Sequence, residues 1–332
     1  MVQPQNTLWP LPTDAPGESG AIMAALNSGD IRTCARLITR IERGEPNLIP
    51  LLRALHRTGG RSRIIGVTGS PGVGKSTLVS KLVGVWRKRG LRVAVLAVDP
   101  SSPFSGGAVL GDRLRMMEHS CDEGVFIRSM ASRGQLGGLA KATGDALTIL
   151  DAMQWDVILI ETVGVGQNET DIMRHASVVI LLQTPMGGDD VQAAKAGITE
   201  IGDIFVVNKS DHPDADRTVR QLEEMIMLGL CLHPDKTWQP PVVKTQATNG
   251  EGVTTLVDHI DNRFAHLLAQ PEMARRLLRD RTRHRVGELL HYMLEQRLRS
   301  GVGLLHEDAL DAVIERDADP YALAAELLAR MG

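Results

Sequence analysis

The segment GSPGVGKST, residues Gly69–Thr77, brings together glycines, a lysine and hydroxyl side chains that pack poorly in a protein core. Its spacing, Gly-x-x-x-x-Gly-Lys-Ser, is that of a phosphate-binding loop, and it lies between a β-branched run and a helical pattern. Glycines let backbone N–H groups converge on phosphate oxygens, and the helix N-terminus adds the positive end of its dipole. Lys75 would place its charge near the β- and γ-phosphates, and Ser76 would offer its hydroxyl to Mg²⁺. We therefore predict a nucleotide site on all nine residues: Gly69, Ser70, Pro71, Gly72, Val73, Gly74, Lys75, Ser76 and Thr77.

A second motif, NKSD at residues 208–211, follows an apolar run and identifies the base. The Asp211 carboxylate can accept hydrogen bonds from N1–H and from the 2-amino group of guanine, whereas adenine would face it with an acceptor. The motif therefore favours GTP and GDP over ATP. The predicted base-binding residues are Asn208, Lys209 and Asp211, with Thr245 and Ala247 as weaker candidates for a contact through backbone groups. For the last two, an ordinary turn at a strand end is an equally good explanation.

Acidic side chains at the ends of strand-like runs are candidates for the metal. Glu161, in the segment ETVG, stands where a Walker-B acid contacts Mg²⁺ and where the amide of Gly164 could sense the γ-phosphate. Asp99 and Asp112 are the other candidate ligands, although either could be a simple helix N-cap. With Lys75, the acids Glu161 and Asp99 are also predicted to support catalysis. No glutamine directly follows Gly164 to position a water molecule, so we expect slow intrinsic hydrolysis.

The segment PMGGDDVQAAKAG, residues 185–197, places two glycines before two acids at the predicted nucleotide-facing edge of a sheet. Functional loops cluster at this edge in α/β proteins. Asp189 and Lys195 could form a mobile, charge-coupled switch that supports catalysis. An N-cap by Asp189 or Asp190 on the following helix explains the same residues equally well.

The motifs follow strand-like runs that alternate with helix-length segments. The runs are residues 64–68, 93–98, 157–160, 178–182, 204–207 and 242–245. Such alternation predicts an α/β fold with a mainly parallel sheet covered by helices on both faces. A parallel sheet would bring the ends of these runs, and with them the motifs, to one edge.

The remaining segments have helical spacing. Apolar residues indicate two or three short helices between Ala21 and His56, and an amphipathic helix that carries Val286, Leu290 and Leu294. Breaks near residues 300–303 and 319–320 separate two further helices. We predict a flexible tail at 1–20, an N-terminal helical extension at 21–62, a nucleotide-binding domain at 63–268 and a C-terminal helical arm at 269–332.

Composition limits the classes of function. The chain of 332 residues has a net charge of -3 and a pI near 6.4, so it has no general attraction for nucleic acid or for an anionic membrane. Its longest apolar runs are far shorter than the roughly 20 residues of a membrane helix. Three widely separated cysteines indicate neither a disulfide framework nor a paired metal site, and they favour the cytoplasm.

Taken in order, the motifs resemble those of the MeaB/ArgK group of proteins. The matching segments are GVTGSPGVGKST, VLAVDPSSPFSGGAVLGDRLRM, ETVGVGQNE, QTPMGGDDVQAAKAG and VVNKSD, and with the flanking helices the resemblance covers nearly the whole chain from Ala21. Members are GTPase chaperones of adenosylcobalamin-dependent methylmalonyl-CoA mutase. The resemblance implies a P-loop G domain of the SIMIBI class, a homodimer built partly by the C-terminal arm, and GTP hydrolysis that gates cofactor loading and protects the mutase.

The same resemblance implies roles for individual residues. Asp99, Asp112 and Glu161 match metal-side acids, and the loop 187–195 matches a switch that transmits the presence of the mutase to the nucleotide. An older family label, a transport-system kinase, is disfavoured because no segment supplies the base that a protein kinase needs. The sequence also contains no D-x-H-x-x-G segment that could supply a cobalt-ligating histidine, so cobalamin is expected to belong to the partner.

Two other functions stay compatible with the motifs. A metal-insertion GTPase of the kind that matures nickel enzymes shares the fold class, but it needs a set of closely spaced ligands, and His119-x-Cys121 is a single pair. A scaffold protein that binds the nucleotide but never hydrolyses it would carry the same motifs. The arginine-rich run 275–285 could dock nucleic acid, yet its interleaved leucines are more typical of a solvated helix face.

Overall fold

The computed structural model describes residues 16–99, 117–119, 121–131, 138–162, 167–185, 202–232, 237–302 and 307–331. Four predicted site residues, Asp112, Gly164, Asp189 and Lys195, lie outside these ranges, as do residues 1–15 of the predicted tail. The other predicted site residues, which carry the phosphate, metal and base motifs, lie within them.

The described strands form one parallel sheet. They are β1 (Arg63–Gly69), β2 (Val93–Asp99), β3 (Val125–Ala131), β4 (Val157–Thr162), β5 (Val178–Gln183), β6 (Ile204–Asn208) and β7 (Val242–Thr245). Their order across the sheet is β3-β2-β4-β1-β5-β6-β7, and every neighbouring pair is parallel. Each of the six predicted runs forms a strand, so the predicted α/β fold class is confirmed.

β3 is the strand that the sequence pattern did not predict. It lies at one edge of the sheet and pairs along its length with β2. Its sequence, VFIRSMA, contains a basic residue and a hydroxyl, so it lacks the continuous apolar run of the central strands. Arg128, in the middle of β3, pairs with Glu42 at 2.5 Å. This ion pair accommodates a charged residue where the strand meets the N-terminal helices.

The described helices surround the sheet and extend beyond it. They are α1 (Pro16–Asn27), α2 (Ile31–Glu42), α3 (Ile49–His56), α4 (Lys75–Lys88), α5 (Gly138–Ala152), α6 (Gln167–Met173), α7 (Ala215–Leu232), α8 (Val253–Ala269), α9 (Pro271–Val302), α10 (Glu307–Ile314) and α11 (Pro320–Met331). Because α1 begins at Pro16, residues 16–20 of the predicted tail are helical. Glu18 in this segment pairs with Arg40 of α2 at 2.8 Å, which fixes α1 to its neighbour.

Both faces of the sheet are covered, which is why the central strands are buried and mostly apolar. Alternate residues of β2 show the division. Val93 and Val95 pack with α4 and α8, whereas Ala94 and Leu96 pack with α2, α3 and α5. The N-terminal helices therefore share a core with the sheet, so the predicted boundary after residue 62 does not separate two cores.

The C-terminal helices separate from the rest of the chain within α9. Residues up to Arg281 belong to one compact unit and residues from Thr282 to a second, whereas the sequence places the boundary at 269. In the first unit, Arg281 donates to the backbone oxygen of His175 and to Oγ of Ser177, both at 2.8 Å. These contacts hold the start of α9 to the turn between α6 and β5, so the division falls after them.

The second unit, residues 282–332, exposes a row of apolar side chains on α9. Val286, Leu290, Leu294 and Leu298 are spaced four residues apart and are 58%, 56%, 51% and 44% exposed. We call these four residues the α9 stripe. Among the described helices, none combines the length and the apolar character needed to cross a membrane.

Candidate active site

A cavity of about 690 Å³ lies at the carboxyl-terminal edge of the sheet, where parallel α/β folds bind their ligands. Its walls come from the loop after β1, the ends of β2 and β4, and the loops after β6 and β7. The lining residues are Pro71, Gly72, Gly74, Lys75, Ser76, Thr77, Asp99, Glu161, Asn208, Lys209, Asp211, His212, Gln246, Ala247 and Thr248. The fold thus brings the predicted phosphate, metal and base motifs to one site.

The loop between β1 and α4 wraps around its own lysine. Lys75 is buried, and its Nζ donates to the backbone oxygens of Gly69 at 2.6 Å and Ser70 at 2.9 Å. Gly74 has a φ of 98°, and a Cβ there would come within 2.4 Å of the Asn208 side chain, so the position requires glycine. The ammonium group and the N-terminal N–H groups of α4 therefore stand together, as phosphate binding requires. Three predicted loop residues support the loop without lining the cavity: Gly69, Ser70 and Val73.

Oxygen atoms from three elements meet at the phosphate end of the cavity. Ser76 Oγ, at the start of α4, donates to Glu161 Oε1, near the end of β4, at 2.5 Å. Asp99 ends β2, and the pairing of Ala97 with Glu161 places Asp99 two residues further along the neighbouring strand. Ser76, Asp99 and Glu161 are all buried and all line the cavity. A set of hydroxyl and carboxylate oxygens fits Mg²⁺, which prefers oxygen ligands.

Asn208 joins the base end of the cavity to the phosphate loop. Its Nδ2 donates to the Val73 backbone oxygen at 2.7 Å, and its Oδ1 accepts from Thr245 Oγ1 and from the Ala247 N–H, each at 3.1 Å. We call this arrangement the Asn208 bracket. Thr245 thus holds the bracket without lining the cavity, whereas Ala247, predicted to contact guanine through backbone groups, lines the cavity and donates its N–H to Asn208 Oδ1. This hydrogen bond supplies a donor that the buried amide oxygen of Asn208 needs.

The two charged residues of the NKSD motif lie on the cavity wall. Lys209 has a φ of 59°, a conformation uncommon outside glycine, and its Nζ donates to the Gly72 backbone oxygen at 3.1 Å. Its side chain therefore spans from the base end to the phosphate loop. Asp211 is exposed in the cavity wall, so its carboxylate is accessible to the donor groups of a guanine base.

Three lining residues were not predicted individually from the sequence: His212, Thr248 and Gln246, of which Gln246 lies within the candidate base-contacting segment 245–247. His212 directly follows the NKSD motif, and its Nδ1 accepts from the Asp214 N–H at 3.2 Å. Gln246 and Thr248 flank Ala247 in the loop after β7. Adjacency to recognised motifs was the available signal, because none of the three residue types indicates nucleotide binding by itself.

A family model described as "Methylmalonyl Co-A mutase-associated GTPase MeaB" matches residues 34–302. The chain belongs to the MeaB family. The match begins in α2, runs through the sheet and the cavity, and ends with α9. The predicted resemblance and the predicted GTPase activity are therefore confirmed, and the family implies that the chain binds a guanine nucleotide.

Individual relatives agree with this assignment. The chain is 45% identical over 314 residues to a putative GTPase of Pyrococcus abyssi, covering 92% of this chain and 95% of that protein. It is 35% identical over 259 residues to the mitochondrial methylmalonic aciduria type A homolog of Mus musculus, covering 75% and 62%. A crystal structure described as LAO/AO transport system kinase has a TM-score of 0.67 and 26% identity, covering 94% of this chain and 97% of that one.

Proposed function

We propose that this MeaB-family GTPase gates cofactor loading of an adenosylcobalamin-dependent methylmalonyl-CoA mutase and protects that enzyme. The observation that carries the proposal is the extent of the family match, which includes α2, α3 and α9 as well as the nucleotide cavity. A match confined to the loop and the sheet would support a GTPase and nothing more. The family description names association with the mutase, and the mouse relative is named for methylmalonic aciduria.

In this proposal different residues of the cavity bind the phosphates and the metal ion during hydrolysis. Lys75 binds the β- and γ-phosphates, and Ser76, Asp99 and Glu161 hold Mg²⁺, which when bound neutralises charge on the phosphate oxygens. Asp112 is a further candidate ligand. The amide of Gly164 would sense the γ-phosphate.

Control by the partner is assigned to Asp189 and Lys195. In the presence of the mutase their loop would adopt the arrangement that assists hydrolysis, so its effect on the rate would depend on the partner. The intrinsic rate is expected to be slow.

The test is single-turnover GTP hydrolysis by the full chain, with and without a methylmalonyl-CoA mutase. We expect the mutase to accelerate hydrolysis. Asp189→Ala and Lys195→Ala should each keep the basal rate within about threefold and lose most of the acceleration. Lys244→Ala, which alters an exposed lysine outside the cavity, is the control. If the unmodified protein does not respond to the mutase, the chaperone role is wrong; if both loop variants respond normally, the loop is not the switch.

We also propose a homodimer formed through the α9 stripe. The four large apolar side chains of the stripe are exposed to solvent along one helix. Contiguous apolar patches of this kind usually mark a protein–protein interface. Homodimers use the same patch on both copies when they have twofold symmetry.

The metal-insertion alternative receives less support from the described residues. His119 Nε2 lies 3.0 Å from the Ser80 backbone oxygen and 3.2 Å from Ser80 Oγ, so the ring contacts α4, while Cys121 is exposed. Within the described ranges, no group of three or more His, Cys, Asp or Glu side chains is placed to hold a metal ion. His119 is therefore explained by packing against α4.

A further inference from the structure

A second cavity, of about 1120 Å³, lies at the edge of the sheet opposite to the nucleotide cavity. Its walls come from the turn between α1 and α2, the first two turns of α2, the carboxyl-terminal ends of α3 and α5, and the residues just before β2 and β3. Because the strands are parallel, this edge carries their starts, whereas the nucleotide motifs follow their ends. The volume is sufficient for a small metabolite.

Three arginines line this second cavity, which we call the arginine cavity: Arg32, Arg36 and Arg92. Arg32 and Arg36 are exposed and lie one turn apart on α2, where two like charges repel each other. Arg40, one turn further along the same helix, is paired with Glu18 at 2.8 Å and with a second glutamate at 2.7 Å. In the part of the chain that the structure describes, none of the three cavity arginines has such an ion pair.

The side chain of Arg92 is oriented by its neighbours. Its guanidinium carbon lies 4.4 Å from the ring centroid of the buried Trp155, and Nη1 donates to the Met153 backbone oxygen at 3.4 Å. Nη2 extends toward the turn between α1 and α2, where a Cβ on Gly29 would lie 4.0 Å from it. Gly29 and Arg92 both line the cavity, so Nη2 lies between two of its walls. Among the described residues, Nε and Nη2 have no acceptor.

Two acidic residues line the same cavity. Asp30 is the N-cap of α2 and accepts from the Arg32 N–H at 2.8 Å, from the Thr33 N–H at 3.3 Å and from the Thr33 hydroxyl at 2.7 Å. The Thr33 hydroxyl lowers the pKa of the Asp30 carboxyl most, and the charge of Arg36 lowers it least. Glu123 is exposed and forms no ion pair with a described residue. Three positive charges therefore face two negative charges, one of which already serves the helix N-terminus.

We propose that the arginine cavity binds a small polyanion whose phosphate or carboxylate groups pair with Arg32, Arg36 and Arg92. Guanidinium groups bind both kinds of anionic group through paired N–H donors. A bound anion would also relieve the repulsion between the two arginines of α2. Several anionic groups are needed because the arginines come from two separate elements. The inference is independent of the mutase and of the chemistry in the nucleotide cavity.

The test is isothermal titration calorimetry with two probes, inorganic tripolyphosphate and citrate, on the full chain carrying bound GDP. The bound GDP keeps the probes out of the phosphate loop. We expect at least one probe to bind, and Arg32→Gln, Arg36→Gln and Arg92→Gln each to weaken its binding by about 5- to 20-fold. This loss is at the low end for charge-assisted hydrogen bonds because solvent reaches the arginines. Stronger binding of tripolyphosphate would identify the ligand as a phosphate compound, and stronger binding of citrate as a polycarboxylate.

Two further variants separate a site from general surface charge. Glu123→Gln removes a negative charge from the cavity and should tighten probe binding by about two- to threefold. Arg53→Gln, which alters an exposed arginine of α3 outside the cavity, is the matched control and should bind the probes normally. Retained GDP affinity shows that each variant is folded. The proposal is overturned if neither probe binds, if all three cavity variants bind normally, or if Arg53→Gln loses as much affinity as they do.

Discussion

At the scale of single residues, we predict that the Asp211 carboxylate determines which base the cavity binds. Asp211→Asn should reduce GTP affinity by about 1.5 to 3 kcal/mol, because an amide presents donors to the donors of guanine. Xanthosine nucleotides, which carry an acceptor in place of the 2-amino group, should gain affinity. Calorimetry with GTP, XTP and ATP measures both effects, with Asp308→Asn on α10 as the control. ATP bound as tightly as GTP by the unmodified protein would contradict the assignment of the base.

Lys75 should matter more for the triphosphate than for the diphosphate. Its ammonium group is held inside the loop by the backbone oxygens of Gly69 and Ser70, at the end of the cavity predicted to bind the β- and γ-phosphates. Lys75→Ala should abolish hydrolysis and weaken GTP binding more than GDP binding. Phosphate release and calorimetry measure the two effects, and Lys88→Ala at the exposed end of α4 should change neither. Unchanged turnover in Lys75→Ala would place catalysis elsewhere.

The three cysteines should differ in reactivity because they differ in burial. Burial raises the pKa of the Cys34 thiol to about 12, whereas Cys121 and Cys231 are exposed. A pKa raised this far keeps Cys34 protonated at pH 8, and only the thiolate is nucleophilic. A disulfide reagent should therefore modify Cys121 and Cys231 quickly in the native protein and Cys34 only after unfolding. Equal rates at all three thiols would contradict this prediction.

At the scale of elements, the sequence predicts what depends on local signals. The six predicted strands are marked by short runs of mainly apolar, β-branched residues, and the phosphate loop is marked by its own glycines and lysine, so both could be predicted. β3 could not, because its Arg128 is accommodated by Glu42, a contact between distant segments. The use of the Ala247 N–H by Asn208 was missed for the same reason. Neighbours in space, which a single sequence does not show, decide these features.

Arg281 attaches the start of α9 to the turn between α6 and β5 through two hydrogen bonds. Burial lowers the pKa of its guanidinium group, yet an arginine stays charged, and its two hydrogen bonds to the α6–β5 turn compensate for the lost hydration. Arg281→Ala should lower the free energy of unfolding by about 1 to 3 kcal/mol, since it leaves two acceptors without their charged donor. Urea unfolding of the full chain measures the change. Arg279→Ala, at an exposed position of the same helix, should be nearly neutral, and equal effects would show that the anchor is not specific.

At the scale of the whole molecule, the α9 stripe should determine the oligomeric state. Leu290→Glu with Leu294→Glu would bury four charges at a twofold interface, so the double variant should be monomeric. Light scattering at micromolar concentration measures the mass, and circular dichroism checks that the helices persist. Leu268→Glu, at an 80% exposed position of α8, is the control. A monomeric unmodified protein would refute the homodimer.

The Asn208 bracket also has a consequence for the order in which a nascent chain acquires its ligand. The phosphate loop ends near residue 77, but its Val73 carbonyl is held by Asn208, which is itself held by Thr245 and Ala247. A ribosome must therefore synthesise the chain beyond β7 before the loop has its complete support. Chains arrested before residue 247 should not retain GTP, even though every residue of the phosphate loop has left the exit tunnel. Nucleotide binding is therefore expected late in synthesis, and it would indicate that the strands from β1 to β7 have assembled into the sheet.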